Sequence, residues 1–412
     1  MRNEILAKMI VICVAIFFFL FILEILFYLF YPQITSDYQE NILPTRYDPL
    51  LGWFNKQNYK NTGVLCEKKY TRTTNTQGFR DTKNYSITKK NGKKRIIVLG
   101  DSFIFGENQD DNELYTTSLQ NIVGNNFEVL NFGVSGYGPD QEFLLLNKEL
   151  KYQPDIVIVA FFQNDWHNML WKLVSTESGR GFKPAFRISR NGSIILTDCC
   201  PVPTIQSKKK TVHSFLEQFH TYIFFRERWN GIKEKVYGRK KQTFFHSYHD
   251  NEESELIDYN TLNKFMTFPP ADELDYKWNT NAIDSGIDLI KKTYDGFYTL
   301  SKRHNFTFVL LNIPTNIQSD PKARADFFSQ FSDVTIFDFK KDRLNDILAT
   351  YASQKKDLVY LDLLQTFEKE GNIPGEKSNI FYPCTRDMHW NALGAKRAAE
   401  ETTKVLKEKG II

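Results

Sequence analysis

Five short apolar runs, separated by segments of helical spacing, constrain this chain more than any other feature. They are RIIVLG (95–100), FEVLNFG (127–133), DIVIVAFF (155–162), FTFVLLNIP (306–314) and DLVYLDL (357–363). Runs of this length that are apolar without alternation suit strands buried on both faces, as in a parallel sheet covered by crossover helices. The segments between supply such helices: Glu113 to Val123, Asp140 to Tyr152, Ala282 to Arg303 and Ala395 to Lys409. In the second of these, Phe143, Leu144, Leu146 and Leu150 give an apolar face. The expectation is one α/β sandwich, a mostly parallel sheet with helices on both faces.

The N-terminus adds a membrane segment. Met9 to Tyr31 is apolar throughout except for Glu24, and about 20 such residues cross the hydrocarbon core of a bilayer. Tyr28 and Tyr31 stand at its far end, where amphipathic rings favour the interface. No small-x-small cleavage site follows, which favours a retained anchor over a cleaved signal. Arg2 and Lys8 precede the span and the first basic residue after it is Arg46. The positive-inside rule then keeps the N-terminus cytoplasmic and places the body outside, periplasmic or at the cell surface.

The chain therefore divides into a tail and signal-anchor helix (1–31), a connector and N-terminal extension laid over the core (32–90), and the α/β domain (91–412). A polar, irregular stretch at about 170–280 interrupts that domain. It holds a hairpin pattern, FRISRNGSIILTD (186–198), an aromatic and basic helix around 213–238 and a charged stretch at 246–260. We read it as an inserted cap or lid, with a separate binding module as the alternative. A formal net charge of +4, spread along the chain, gives no footprint for nucleic acid. Cys13 lies in the membrane span; Cys66, Cys199, Cys200 and Cys384 could form two bridges, with the pairing open. Adjacent thiols at 199–200 lack metal-ligand spacing, and His246 and His249 have no partnering cluster nearby, so no metal or cofactor is expected.

Ligands of open α/β sheets bind outside the carboxyl ends of the strands, which turns the strand list into a site list. The first strand ends in Gly100-Asp101-Ser102, the second in NFGVSGYG and the third in FFQNDWHN, while RDMHWNALG precedes the last helix. These four places supply what acyl transfer to a serine needs. Ser102 offers a nucleophile, His389 a base that titrates near neutrality and Asp387 a carboxylate to orient it. The backbone N–H of Gly136 and the amide of Asn164 offer donors to a developing oxyanion. Taken alone, Ser102 would be a helix cap, Gly136 a turn residue and His389 a surface histidine. His167 lies beside the third block, and Trp53, Trp166 and Trp390 are candidates either for the cleft or for packing.

The four blocks resemble those of the SGNH (GDSL-like) hydrolases: GDSF at 100–103, NFGVSG at 131–136, QND at 163–165 and DMHWNALG at 387–394. Their order and spacing match over roughly residues 45–410, and YDPLLGW with TNTQGFR is similar to the lead-in of membrane-anchored bacterial members. The resemblance implies a flavodoxin-like three-layer fold and ester hydrolysis or acyl transfer through an acyl-serine. It makes Ser102 the nucleophile, Ser102, Gly136 and Asn164 the oxyanion hole, His389 the general base and Asp387 its orienter. Two positions depart from the pattern: Phe162 stands where the third block usually begins with Gly, and only Met388 separates Asp387 from His389. With the topology, the resemblance points to acyl, chiefly acetyl, groups on envelope or secreted glycans, and to a membrane-embedded acyl donor if the reaction is transfer. A lipase or thioesterase acting on longer chains, and a non-catalytic glycan-binding or scaffold protein, are the alternatives.

Overall fold

The computed structural model describes residues 2–30, 44–65, 68–89, 92–170, 173–176, 179–189, 192–198, 280–329, 342–376, 378–382 and 388–412. It also describes 200, 219, 221–222, 224–226, 228–229, 243–245 and 257–258. The chain forms two compact units, residues 1–43 with 203–243 and residues 44–202 with 244–412.

In the first unit, helix α1 (Arg2–Phe30) contains a 21-residue span, Ala7–Phe27, of mean hydropathy 3.2, long and apolar enough to cross a membrane. Glu24, the acidic residue of that span, accepts a hydrogen bond from the Thr221 N–H at 2.9 Å. The Phe27 ring lies 4.4 Å from that of Phe224. A backbone donor thus answers a carboxyl that would be costly alone in lipid.

The second unit begins with two antiparallel hairpins, β1 (Thr45–Asp48) with β2 (Gly52–Asn55), and β3 (Lys60–Leu65) with β4 (Lys68–Thr73). The sheet then opens with β5 (Lys94–Gly100), followed by the one-turn helix α2 (Ser102–Phe105) and by α3 (Tyr115–Val123). Next come β6 (Phe127–Gly133), α4 (Pro139–Glu149), β7 (Ile156–Phe161) and α5 (Asp165–Leu170). Two further hairpins follow, β8 (Leu173–Thr176) with β9 (Gly179–Phe182), and β10 (Ala185–Ile188) with β11 (Ile194–Asp198). After α6 (Thr280–His304) the sheet resumes with β12 (Thr307–Asn312), crosses through α7 (Arg343–Ser353) to β13 (Val359–Asp362) and ends with α8 (Ala392–Glu408).

The sheet has five parallel strands in the order β13-β12-β7-β5-β6. Numbered along the sheet's own strands this is 2-1-3-4-5, the flavodoxin-like order. All five sequence runs form strands of this sheet, and the α/β/α layering is as expected. Period-two alternation divides each strand between two cores. Ile97, Leu99, Val157 and Val159 face α4, α6, α7 and the N-terminal hairpins, whereas Ile96, Val98, Ile156 and Ile158 face α3 and α8.

Helix α4 differs from its sequence pattern. Leu145 and Leu146 are buried, but so are Asp140, Gln141, Glu142 and Glu149, while Phe143 and Leu144 are only partly covered. Polar residues occupy the inward face because α4 begins at the sheet edge where the site is built.

Candidate active site

Register fixes the site's frame. Gly100 of β5 pairs with Gly133 of β6, and Leu99 pairs with Val159 of β7. Adjacent parallel strands lie about 4.8 Å apart, so the segments that leave β5, β6 and β7 emerge side by side. Ser102 leaves the middle strand, with Gly136 following one neighbour and Asn164 the other. Gly133 makes this close approach possible, since a Cβ there would run into the backbone of Ile104 and Phe105 in α2.

Ser102 is the first residue of α2 and Asp101 is its N-cap, its carboxylate accepting the Phe103 N–H at 2.9 Å. The capping geometry exists, but the capping side chain is Asp101 and the Ser102 hydroxyl is left for other work. Its Oγ lies 2.7 Å from His389 Nε2. His389 sits two residues before Asn391, whose carboxamide caps α8 by accepting from Leu393 N and Gly394 N at 2.9 and 3.0 Å. Trp390 is buried, stacked at 5.8 Å on Tyr115 and edge-on at 5.3 Å to Phe103, and Phe103 lies 4.9 Å from the His389 ring. This aromatic wall sets the imidazole's position by packing. Phe162 joins it, its ring 4.2 Å from Phe103. The bulk at the position where the resemblance implies a glycine is thus absorbed by the core.

The loop after β6 is held at nearly every peptide. Val134 N–H donates to Gly100 O at 3.0 Å and Tyr137 N–H to Val134 O at 3.2 Å. The Gly133 carbonyl accepts Asn55 Nδ2 at 3.2 Å, and the Ser135 carbonyl accepts Trp53 Nε1 at 3.0 Å. The Tyr137 hydroxyl donates to the Trp53 carbonyl, and the Ser135 hydroxyl to Glu107, which is ion-paired with Arg72. Gly136 itself has φ +78°, the left-handed region that glycine adopts without strain. Trp53 is therefore buried packing beneath this loop rather than cleft lining, and Trp390 packs behind the histidine.

Beyond β7, Asp165 N–H donates to Phe162 O and its carboxylate accepts Phe162 N–H, each at 3.0 Å, which closes the turn that carries Asn164. Lys183, from the link between β9 and β10, donates to both Asp140 and the Asn168 carbonyl, and is fully buried with Asp140. Asn168 Nδ2 contacts the Tyr137 carbonyl at 3.4 Å. These bonds join the start of α4 to α5.

Four buried carboxyls stand at this end of the sheet. Burial pushes Asp101 up, against the pull of the Phe103 amide, the His389 charge and the nearby Asn164 and Ser102 side chains. Burial also raises Glu142 well above the usual carboxylate range, and Asp101 and Asp140 add to this. Asp165 moves the same way through burial, Glu142 and Asp101. Burial raises Asp140 as well, with Lys183 opposing, and lowers Lys183 itself. Among the described residues no three His, Cys, Asp or Glu side chains are placed to hold a metal ion.

The structure thus brings Ser102 and His389 into contact and sets Gly136 and Asn164 on the flanking strand ends. Asp387 lies outside the described residues, as do Cys66, Cys199, Cys384, His246, His249 and the side chains of Trp166 and His167. Cys200 is disulfide-bonded. Sequence reasoning missed Asn55, Glu107, Glu142 and Lys183 as parts of the site's support.

No family model matches the chain, and no curated protein does. Among solved structures the chain is similar to an acetyl xylan esterase, with TM-score 0.37 and 12% identity over 76% of this chain and 99% of that one. It is similar to a carbohydrate acetylesterase family member from Sinorhizobium meliloti, with TM-score 0.34 and 10% identity over 76% and 98% of the two chains. A GDSL-like lipase from Bacteroides thetaiotaomicron gives TM-score 0.35 and 9% identity over 79% and 93%. TM-scores this low leave the functional reading to rest on the site's own geometry.

Proposed function

We propose that this chain is a membrane-anchored, extracytoplasmic serine esterase of the SGNH type, cleaving acyl and chiefly acetyl esters on envelope or secreted glycans. The observation that carries the reading is the 2.7 Å contact between Ser102 Oγ and His389 Nε2, made by residues 287 apart in sequence. Two side chains so distant in sequence meet at the carboxyl end of β5, where an α/β sheet binds ligands.

In the proposed reaction Ser102 Oγ attacks the acyl carbon as its proton passes to His389 Nε2. The carbonyl π electrons move onto oxygen, and the oxyanion meets the N–H groups of Ser102 and Gly136 and the amide of Asn164. Collapse breaks the ester bond, and the departing alkoxide takes the proton from His389. Water repeats the sequence on the acyl-serine and releases the acid. Asp387 is proposed to hold the imidazole in the tautomer that leaves Nε2 free to accept.

The anchor reading is supported by the apolar span of α1, with Arg2 and Lys8 before it. The disulfide at Cys200 fits an oxidising compartment outside the cytoplasm. The glycan substrate follows from that topology and from the family resemblance. The test is labelling of the full-length protein by a fluorophosphonate probe, wild type against Ser102→Ala and His389→Ala. Adduct in the wild type alone supports the reading, and absence of any Ser102-dependent adduct removes it. A p-nitrophenyl ester series separates substrates, because preference for long chains would replace the glycan reading with a lipid one.

A further inference from the structure

The Ser135–Gly136 peptide links a buried anchor to an outward-facing donor. Every residue from 129 to 142 is buried except Gly136, which is partly exposed. The Ser135 carbonyl and the Gly136 N–H belong to one peptide unit, and among the described residues no peptide bond is cis. In a planar trans peptide these two groups point in opposite directions. Trp53 Nε1 fixes the carbonyl from inside the core at 3.0 Å, so the N–H is turned away from the core. Among the described residues the Gly136 N–H meets no acceptor.

The indole is itself firmly held. It is 5% exposed, packs edge-on to Tyr137 at 5.7 Å, and its backbone carbonyl accepts the Tyr137 hydroxyl. Asn55, two residues along β2, fixes the Gly133 carbonyl from the same side. If the Trp53 donor is removed, the Ser135–Gly136 peptide can rotate about its flanking bonds, because glycine tolerates many backbone conformations.

We propose that Trp53 is a positioning residue for acyl transfer. Through its bond to the Ser135 carbonyl it aims the Gly136 N–H at the oxyanion, so the N-terminal hairpin is a working part of the site. This rests on the serine-esterase reading. A donor that is present but misaimed costs part of what its deletion would cost.

The experiment compares full-length wild type, Trp53→Phe, and the protein carrying β-(3-benzothienyl)alanine at position 53, an isostere with sulfur in place of the indole N–H. Turnover of p-nitrophenyl acetate is measured alongside thermal midpoint. Both variants are expected to fold and to lose about 10- to 10²-fold in kcat, with KM within about twofold of wild type. A folded variant with wild-type kcat overturns the proposal. So does a loss borne by KM alone, or failure of both variants to fold, which would make the N–H a folding requirement. Wild type without Ser102-dependent turnover removes the esterase reading and this proposal together, an outcome distinct from active wild type with unaffected variants.

Discussion

Glu142→Gln should stabilise the fold at neutral and alkaline pH and change little in acid. Glu142 lies in the first turn of α4, is fully buried, and among the described residues neither carboxyl oxygen has a hydrogen-bond partner. Burial, with Asp101 and Asp140 nearby, raises its pKa well above the ordinary carboxylate value, while Lys183 pulls the other way. A carboxyl raised in the native state favours folding most below its unfolded pKa. That contribution disappears as pH climbs through the native value, because the unfolded chain can ionise freely and the folded one cannot. Each unit between the two values weakens the fold by about 1.4 kcal/mol once both are passed. Glutamine has nearly the same shape and leaves similar polar atoms unpaired, so those costs cancel and the ionisation difference remains. For a domain this large, about 1 kcal/mol moves the midpoint by roughly 1–2 °C. Thermal unfolding of both proteins at about pH 4 and about pH 8, at one scan rate, should show a gap in midpoint that opens as pH rises. A gap constant with pH would refute the reasoning, and a glutamine variant that falls below wild type as pH rises would mark Glu142 as a carboxylate stabilised in its charged form.

Two further outcomes follow from the same end of the sheet. Asn164→Ala should lower turnover by about 10²–10³-fold, the cost of one oxyanion donor, while fluorophosphonate still labels Ser102; unchanged turnover would remove Asn164 from the hole. Lys183→Met alone leaves Asp140 as a buried unpaired charge and should cost about 3–5 kcal/mol, whereas Lys183→Met with Asp140→Asn should recover most of that. Chemical unfolding of the two variants checks this, and equal losses in both would show that the lysine's bond to the Asn168 carbonyl, not the charge pair, dominates.

What could be read from the sequence is what local pattern encodes. The five strands were legible because parallel strands buried on both faces leave uninterrupted apolar runs, as in Ile96 to Leu99. Ser102, Gly136, Asn164 and His389 were legible because they end strands or precede a helix, and the carboxyl edge of such a sheet collects those places. Asn55, Lys183 and the bond made by Trp53 were not, because each acts on a backbone carbonyl far away in sequence: Gly133, Asn168 and Ser135. Such bonds depend on tertiary path and leave no periodicity. Glu142 was hidden for another reason. On a helix, a charged residue among Phe143, Leu144 and Leu146 reads as the solvent face, yet here that face turns inward toward Asp101.

The division between legible and hidden residues follows the division of labour in the site. Hydrogen-bond register places the ends of β5, β6 and β7, and so the position of Ser102 needs little beyond the core sheet. The loops that follow have no ladder, and a loop peptide left to itself samples many orientations at a cost of about 1–2 kcal/mol per residue to fix. Here the cost is met by side chains from outside the alternating core. The carbonyls of Gly133, Ser135 and Tyr137 accept from Asn55, Trp53 and Asn168 in turn. Asn168 is in turn tied through its own carbonyl to Lys183, which also grips Asp140 at the start of α4. The N-terminal hairpin and the inserted strands therefore converge on one loop from two sides. A chain reduced to the alternating strands and helices would keep Ser102 and His389 in place and lose the bonds that orient the peptides beside them.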